Sequence, residues 1–387
     1  MKHYFLGTAA NYNRKERLAH TFAIGREKDR RNLSEFLSQK YEGEATLTKN
    51  GRSALALALK AYFEPGEAVI VNGFTCYAVY EAVKAAGLTP IWADISREDL
   101  NYNESTLCEL EMIHSGHTQG HSAELTVPNG SFSSSIRGII IQNSLGNPID
   151  ITAVEKFAKK HGLTIIEDLA HCVGVKYPDG REAGTVGAAA VLSFGKDKSV
   201  DTISGGAVIL RQPCKNIIKA PSKLPKISDN LRARFYPMLG AISRRLSYIH
   251  LGGVFMRGLI KIRWVEKSAD NRLDVTRKIA KFEAKLALKQ LKASKRSRGK
   301  PIREFYLVRD RGEILKKLQK NGYYFGGFWY ERPVSPERYY KKVHFPEKDC
   351  PVAVEVAEKI INFPTFYDKK DLKTAREIVA EHIEEVK

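Results

Sequence analysis

A carboxylate followed by two lysines on a serine- and glycine-bearing loop is the part of this sequence best equipped for chemistry. Glu167-Asp168 ends an apolar run, and Ser193-Phe194-Gly195-Lys196-Asp197-Lys198 follows, closed by the pair Gly205-Gly206. A lysine amine can hold an aldehyde as a Schiff base, and a carboxylate facing a pyridine nitrogen keeps that nitrogen protonated, so that the ring accepts electrons. These are parts of a pyridoxal 5'-phosphate site. Asn50-Gly51-Arg52-Ser53-Ala54-Leu55 adds a helix start, where N–H groups and the helix dipole can hold a phosphate dianion. Taken singly, each feature has a plainer reading. Glycine before a helix is commonly a flexible entry, Asp168 can cap a turn, and His171 can be a core histidine satisfied by hydrogen bonds. Neither Gly-x4-Gly-Lys nor Gly-x-Gly-x-x-Gly occurs, and on the residues alone Lys196 and Lys198 are rivals for the Schiff base.

The elements that must position these groups read as repeated strand and helix units over residues 45–211. Apolar strands are expected at Ala68–Val71, Pro90–Ala93, Gly138–Ile141, Leu163–Ile166 and Ala189–Phe194, with helices at Gly51–Phe63, Tyr77–Ala86 and Ile151–His161. This alternation predicts an α/β fold, a large and mainly parallel sheet covered by helices. Ligands of such sheets gather at the carboxyl ends of strands, where Asp168 falls. Cys108 to Ser135 is polar and rich in Ser, Gly and His, and reads as a surface loop. From Pro301 a smaller α/β unit is expected, with a strand at Glu304–Val308, helices at Gly312–Gln319 and Val352–Ile361, and a closing helix from Lys369. The predicted organisation is a large cofactor-binding domain over 1–211, a basic connecting helical segment over 212–300 that ends in a long helix at Val275–Ala293, and a small C-terminal domain over 301–387.

With 387 residues, 43% hydrophobic and 28% charged, the chain can bury the core of two domains. No apolar run approaches the roughly 18 residues of a membrane-spanning helix, and Tyr4–Ala10 is too short and broken for a signal-peptide core, so a cytoplasmic protein is expected. Five scattered cysteines without Cys-x-x-Cys spacing fit reduced thiols rather than disulfides or a zinc site. His114, His117 and His121 have ligand-like spacing but sit among Gly and Ser, so a loop is expected there and no metal. The net charge of +19 is concentrated: residues 211–310 hold 26 Lys and Arg against 7 Asp and Glu, and the remainder balances at 37 of each. Between Asn230 and Val265 no acid occurs, and Phe235, Leu239, Ile242, Leu246 and Ile249 recur at helical spacing with Arg244 and Arg245 off that face. Such a helix can cover a substrate diphosphate or a dimer interface. It can also make peripheral contact with anionic lipid at the inner membrane face, through residues 230–265. A nucleic-acid partner is not expected, since no recognition motif accompanies the charge.

Taken in chain order, these segments resemble the DegT/DnrJ/EryC1/StrS aminotransferases, fold-type I pyridoxal phosphate enzymes that act on sugar nucleotides. Asn50–Leu55 resembles that family's Ser-Gly-Thr-x-Ala-Leu phosphate turn, and Phe74-Thr75-Cys76 its Phe-Thr-aromatic segment. Gln142-Asn143-Ser144-Leu145-Gly146-Asn147-Pro148 resembles its His-x-x-Gly-x-Pro turn, and Glu167-Asp168-Leu169-Ala170-His171 its Glu-Asp-Ala-Ala-His or Gln. Ser193-Phe194-x-x-x-Lys198 with Gly205-Gly206 resembles its lysine loop, and Ile361-Asn362-Phe363-Pro364-Thr365 is similar to its Asn-Leu-Pro-Thr strand. The resemblance implies that Lys198, at the family's spacing from Ser193, forms the Schiff base, leaving Lys196 a solvated charge or phosphate neighbour. It implies that Asp168 pairs with the pyridine nitrogen and that His171 lies against the ring hydroxyl. Ser193 and the backbone at Gly51, Arg52 and Ser53 would hold the phosphate. Cys76 stands where the family stacks an aromatic ring, with Tyr77 beside it as a substitute, and Thr276 and Lys278 stand where the family has Asn-x-Arg.

The activity implied is transamination by a homodimer in two half-reactions, serving amino-sugar, cell-surface polysaccharide or secondary-metabolite biosynthesis. An amino donor, glutamate by resemblance, gives up its amine, and a nucleotide-linked keto sugar receives it, with the Lys198 amine moving the proton. Two alternatives remain. One is a catalytically altered, membrane-associated scaffold or sensor on the same fold, suggested by positions 76, 276 and 278. The other is a different fold-type I reaction such as sulfur transfer, which requires Cys350 as a mobile nucleophile.

Overall fold

A computed structural model describes residues 4–5, 12–114, 135–267, 271–293, 301–324, 329–367 and 370–383. Seven strands form its central sheet: β1 Glu44–Thr48, β2 Ala68–Asn72, β3 Thr89–Ala93, β4 Ile136–Ile141, β5 Thr164–Asp168, β6 Ala189–Ser193 and β7 Gly206–Leu210. Their order across the sheet is β1-β7-β6-β5-β4-β2-β3. The pairings from β6 across to β3 are parallel, whereas β7 runs antiparallel to both β6 and β1. The five expected strands are present with ends shifted by one or two residues, and β1 and β7 extend the sheet beyond them.

The strands are apolar on both faces because both faces are covered. Val69 and Val71 of β2 enter one core, with the helices Gly51–Tyr62 and Tyr77–Ala85, while Ala68 and Ile70 enter the other. That second core is closed by the helices Glu27–Tyr41, Ile151–His161 and Lys281–Ala293. Gly51–Tyr62 is buried along almost its whole length, and its alanine and leucine content suits close packing between the sheet and its neighbours.

Three expectations need correction. The polar stretch from Cys108 to Ser135 begins inside a helix, Glu104–His114, because Leu107 and Leu110 share a buried face; residues 115–134, including His117 and His121, lie outside the described residues. The helix expected from Val275 starts at Lys281. Before it the backbone is paired with an adjacent segment: the Thr276 carbonyl accepts the N–H groups of Ser222 and Lys223 at 3.0 and 2.9 Å, and Lys278 N–H donates to Lys223 at 3.0 Å. The β-branched Val275, Thr276 and Ile279 suit that conformation. The helix placed at Val352–Ile361 runs Pro351–Lys359 and gives way to strand at Ile360.

The C-terminal unit pairs β8 Arg303–Leu307 antiparallel with β9 Ile360–Pro364, backed by the helices Arg311–Lys320 and Lys373–Ala380. Successive side chains of a strand face opposite ways. Ile361 and Phe363 therefore enter the small core, while Asn362 faces away from it and binds Arg303. Strand pairing crosses the boundaries drawn at 211 and 301: Tyr4–Phe5 pairs with Tyr323–Tyr324, and Thr75–Cys76 with Val334–Ser335. The basic segment folds as a hairpin of two helices, Ile227–Ser247 and Gly252–Lys261. Its inner face, including Ala233, Tyr236, Leu239 and Leu259, packs with Tyr12 and Phe282. Among the described residues no helix is long and apolar enough to cross a membrane.

Candidate active site

Segments at the carboxyl ends of β2, β4, β5 and β6 converge on a cavity of about 190 Å³. Cys76, Gln142, Asp168 and Ser193 line it from those ends, Gly51 and Arg52 from the start of a helix, and Lys198 from the loop after β6. Strand alternation separates the two acids of β5. Glu167 faces away and is saturated, accepting the Tyr177 hydroxyl at 2.7 Å and the N–H groups of Gly184, Val186 and Gly187 at 2.7, 2.9 and 2.6 Å. Asp168 faces the cavity and accepts one backbone N–H, from Ala170 at 3.0 Å. Burial pushes its carboxyl up to about 6, against the pull of the Ala170 N–H and the Lys198 charge.

The two lysines diverge. Burial holds the Lys198 amine below its ordinary value, opposed by Cys76, Asp168 and Asp197 and assisted by the Arg303 charge. A depressed amine is a better nucleophile toward an aldehyde. Its Nζ lies 4.7 Å from the Trp329 ring centroid. Lys196 instead donates to the Glu266 carbonyl and lies 4.0 Å over Tyr236. Lys198, then, is the lysine that shares an environment with Asp168. His171 accepts the Leu145 N–H at Nδ1, 3.2 Å away, and burial, with Lys198 and Arg303 nearby, holds it well below its ordinary value. It is neutral, with its proton on Nε2 and available for donation.

Asn50 caps the helix that starts the phosphate turn: its Oδ1 accepts the Ser53 N–H at 3.0 Å and the Ser53 hydroxyl at 2.7 Å. Ser53 Oγ in turn accepts the Asp274 N–H at 2.9 Å. Ser53 was expected among the phosphate donors, but its polar groups hold the cap and the incoming 271–278 segment, and Gly51 and Arg52 line the cavity without it. A Cβ on Gly51 would stand 2.6 Å from Ser193 Cβ and 2.9 Å from its Oγ. Only glycine lets the helix start meet this serine. The buried carboxyl, the nucleophilic amine, the neutral imidazole and this glycine–serine contact together form a donor set that fits pyridoxal phosphate.

The lysine loop is held under strain. Asp197, Ile203 and Gly205 have φ values of +62°, +73° and +104°, and a β-branched residue in that region costs about 1–3 kcal/mol. Asp201 restrains the loop, accepting the Tyr12 hydroxyl at 2.7 Å and the N–H groups of Ile203 and Asp197 at 3.0 Å each.

Tyr77 does not take the place of the missing aromatic. Its ring stacks on Tyr339, centroids 4.4 Å apart and 12° from parallel, and it does not line the cavity. Tyr330 of the C-terminal unit lines the cavity, stacked 4.5 Å from Phe74, Trp329 lies 5.2 Å from His171, and Tyr236 and Trp264 line the cavity from the basic segment. Arg303 joins them, 4.9 Å from the Trp329 centroid and bonded to Asn362, whose carbonyl accepts its Nη2 at 3.2 Å. Burial lowers the Arg303 guanidinium to about 10, partly offset by Asp197. The only signal in the sequence for Arg303 was its position opposite the Asn362 strand. Thr276 and Lys278 take part in backbone pairing with 222–223, whereas Asn271 lines the cavity. Cys350 is fully buried and its thiol is pushed well above its ordinary value, so the mobile nucleophile required for sulfur transfer is not there.

The sequence profile of the DegT/DnrJ/EryC1/StrS aminotransferase family matches residues 26–382. The chain is 25% identical over 334 residues to a pleiotropic regulatory protein of Geobacillus stearothermophilus, covering 83% of this chain and 80% of that one. It is 24% identical over 334 residues to a UDP-N-acetyl-3-dehydro-alpha-D-glucosamine 3-aminotransferase of Acidithiobacillus ferrooxidans, covering 84% and 80%. A crystal structure of an aminotransferase of this family from Brucella abortus superposes with a TM-score of 0.63 at 18% identity, covering 95% of this chain and 93% of that one.

Proposed function

The chain belongs to the DegT/DnrJ/EryC1/StrS aminotransferase family, and we propose that it transfers an amino group from glutamate to a nucleotide-linked keto sugar, using pyridoxal 5'-phosphate. The observation that carries this reading is the Lys198 amine held in one buried cavity with the Asp168 carboxyl, beside the Gly51–Ser193 contact. When bound, the cofactor supplies an electron sink for the carbon that gains or loses the amine. Lys198 Nζ would hold the aldehyde and, as a free amine, would carry the proton to and from the donor carbon. Asp168 would hold positive charge at the ring nitrogen, and His171 Nε2 would donate to the ring oxygen. Ser193 Oγ and the N–H groups of Gly51 and Arg52 would hold the phosphate.

Lys49, Arg52, Arg232 and Lys267 also line the cavity, the first three ion-paired with Asp229, Glu81 and Glu266, and a substrate diphosphate would compete with those acids for them. One relative is named for a UDP-linked keto sugar, which agrees with this substrate class. We place the enzyme in the cytoplasm as a homodimer acting in amino-sugar, cell-surface polysaccharide or secondary-metabolite biosynthesis. The test is spectroscopic. Glutamate should convert the cofactor from its aldehyde to its amine form, and a panel of keto-sugar nucleotides should return it. Cofactor binding without any response to glutamate would refute transamination, and no cofactor binding would leave the scaffold reading in its place.

A further inference from the structure

We propose that the tip of the basic hairpin, residues 245–263, docks on an anionic lipid surface. The cations of this segment divide into two groups. Arg232 pairs with Glu266 at 2.8 Å, and Arg234 donates to the carbonyls of Thr21 and Ala23 at 3.1 and 2.8 Å while lying 4.1 Å over Phe282. Arg234 thus holds the hairpin to the body, and Arg232 ties its first helix to the segment leaving its second. Arg245, Arg257, Lys261 and Arg263 are exposed instead, in a stretch that holds no acid from Asn230 to Val265.

Apolar side chains alternate with these cations. Ile242 lies one turn before Arg245 near the end of the first helix, Ile249 follows in the turn after it, and Val254, Arg257 and Lys261 share a face of the second helix. Ile249, Leu251, Val254 and Ile262 are 61%, 51%, 55% and 70% exposed. Exposed aliphatic groups interleaved with cations match the interface of an anionic bilayer, where the apolar chains enter the headgroup boundary and the cations meet phosphates. A second copy paired symmetrically through this patch would set arginine against arginine. A single-stranded nucleic acid would be served by a run of stacking aromatics, whereas the tip sets one exposed aromatic, Tyr248, among four exposed aliphatic side chains. Tyr236, which lines the cavity, and Ser247 are separated by about 16 Å along one helix, at 1.5 Å per residue, whereas the other end of the patch, at Arg263, adjoins Trp264 of the cavity lining.

The experiment is co-sedimentation of the cofactor-loaded full chain with vesicles containing phosphatidylglycerol, against vesicles of phosphatidylcholine alone. Binding is expected to the anionic vesicles only and to weaken with salt. Arg245→Gln/Arg257→Gln should lower partitioning roughly 30-fold, at about fivefold per cation. Ile249→Ser/Val254→Ser should also lower it at unchanged charge, which a simple polyanion site would not show. Circular dichroism and cofactor loading of each variant check that it folds. Equal vesicle binding by wild type and both variants would overturn the proposal. So would failure to bind anionic vesicles while a labelled oligonucleotide binds, or dissociation of a dimer in the folded variants, which would assign the face to contact between copies.

Discussion

Asp168→Asn should stabilise the cofactor-free protein at alkaline pH while weakening its grip on the cofactor. The Asp168 carboxyl is raised by burial from 3.8 to about 6. Because the folded value lies above the unfolded one, folding favours the protonated acid. Below about pH 4 the acid is neutral in both states and carries no penalty. Between about pH 4 and 6 stability falls, and above about 6 the whole cost is present, about 3 kcal/mol at 1.36 kcal/mol per unit. Asparagine is neutral throughout and keeps an oxygen for the Ala170 N–H. An unfolding entropy of roughly 2.1 cal/mol/K per residue over 387 residues makes this about 4 °C in Tm. Thermal melts of cofactor-free wild type and Asp168→Asn should differ by that amount at pH 8 and converge near pH 4. A gap that ignores pH, or a less stable variant at pH 8, would refute a buried carboxyl held for a partner it meets only in the loaded enzyme. With cofactor the order should reverse, since the carboxylate then faces a protonated ring nitrogen.

Titrating both proteins with cofactor across pH should show the wild-type advantage in affinity shrinking below about pH 6, roughly tenfold per unit, as Asp168 takes up its proton; the ratio cancels the titration of the phosphate. Gly51→Ala should cost about 1–3 kcal/mol through its clash with Ser193. Adding Ser193→Gly should recover thermal stability but not cofactor affinity, because the serine hydroxyl is lost as well. Asn362→Ala should lower stability by about 1–3 kcal/mol, read by thermal melting, because it removes the side-chain oxygen that accepts from a buried guanidinium while the backbone carbonyl at 362 stays in place. In the native protein a maleimide should label Cys108 rapidly and Cys350 only on unfolding, followed by peptide mass spectrometry.

How much of this was legible follows from where each residue sits. Asp168 and Ser193 could be placed because apolar strands announce themselves and the next residue is their carboxyl end. Lys198 could be separated from Lys196 only through family spacing; in the folded chain the separation is physical, one amine buried near Asp168 and the other turned to Glu266. Ser53 looked like a phosphate donor because sequence does not show that Asn50 would claim its N–H and hydroxyl. Tyr77 looked like a ring partner because it adjoins Cys76, yet Tyr339, far along the chain, captures it. Trp329, Tyr330 and Arg303 were beyond reach for the same reason, since the contacts that bring them to Asp168 join distant segments. The basic segment was visible as charge, but its division into anchoring and exposed arginines needed the hairpin.

Which lysine carries the cofactor decides whether this chain works as the site is built to work. Borohydride reduction of the loaded protein, followed by peptide mapping, should find the label on Lys198. The visible absorption of the loaded protein should be lost in Lys198→Ala and kept in Lys196→Ala. A label on Lys196, or an absorption band that survives Lys198→Ala, would contradict it.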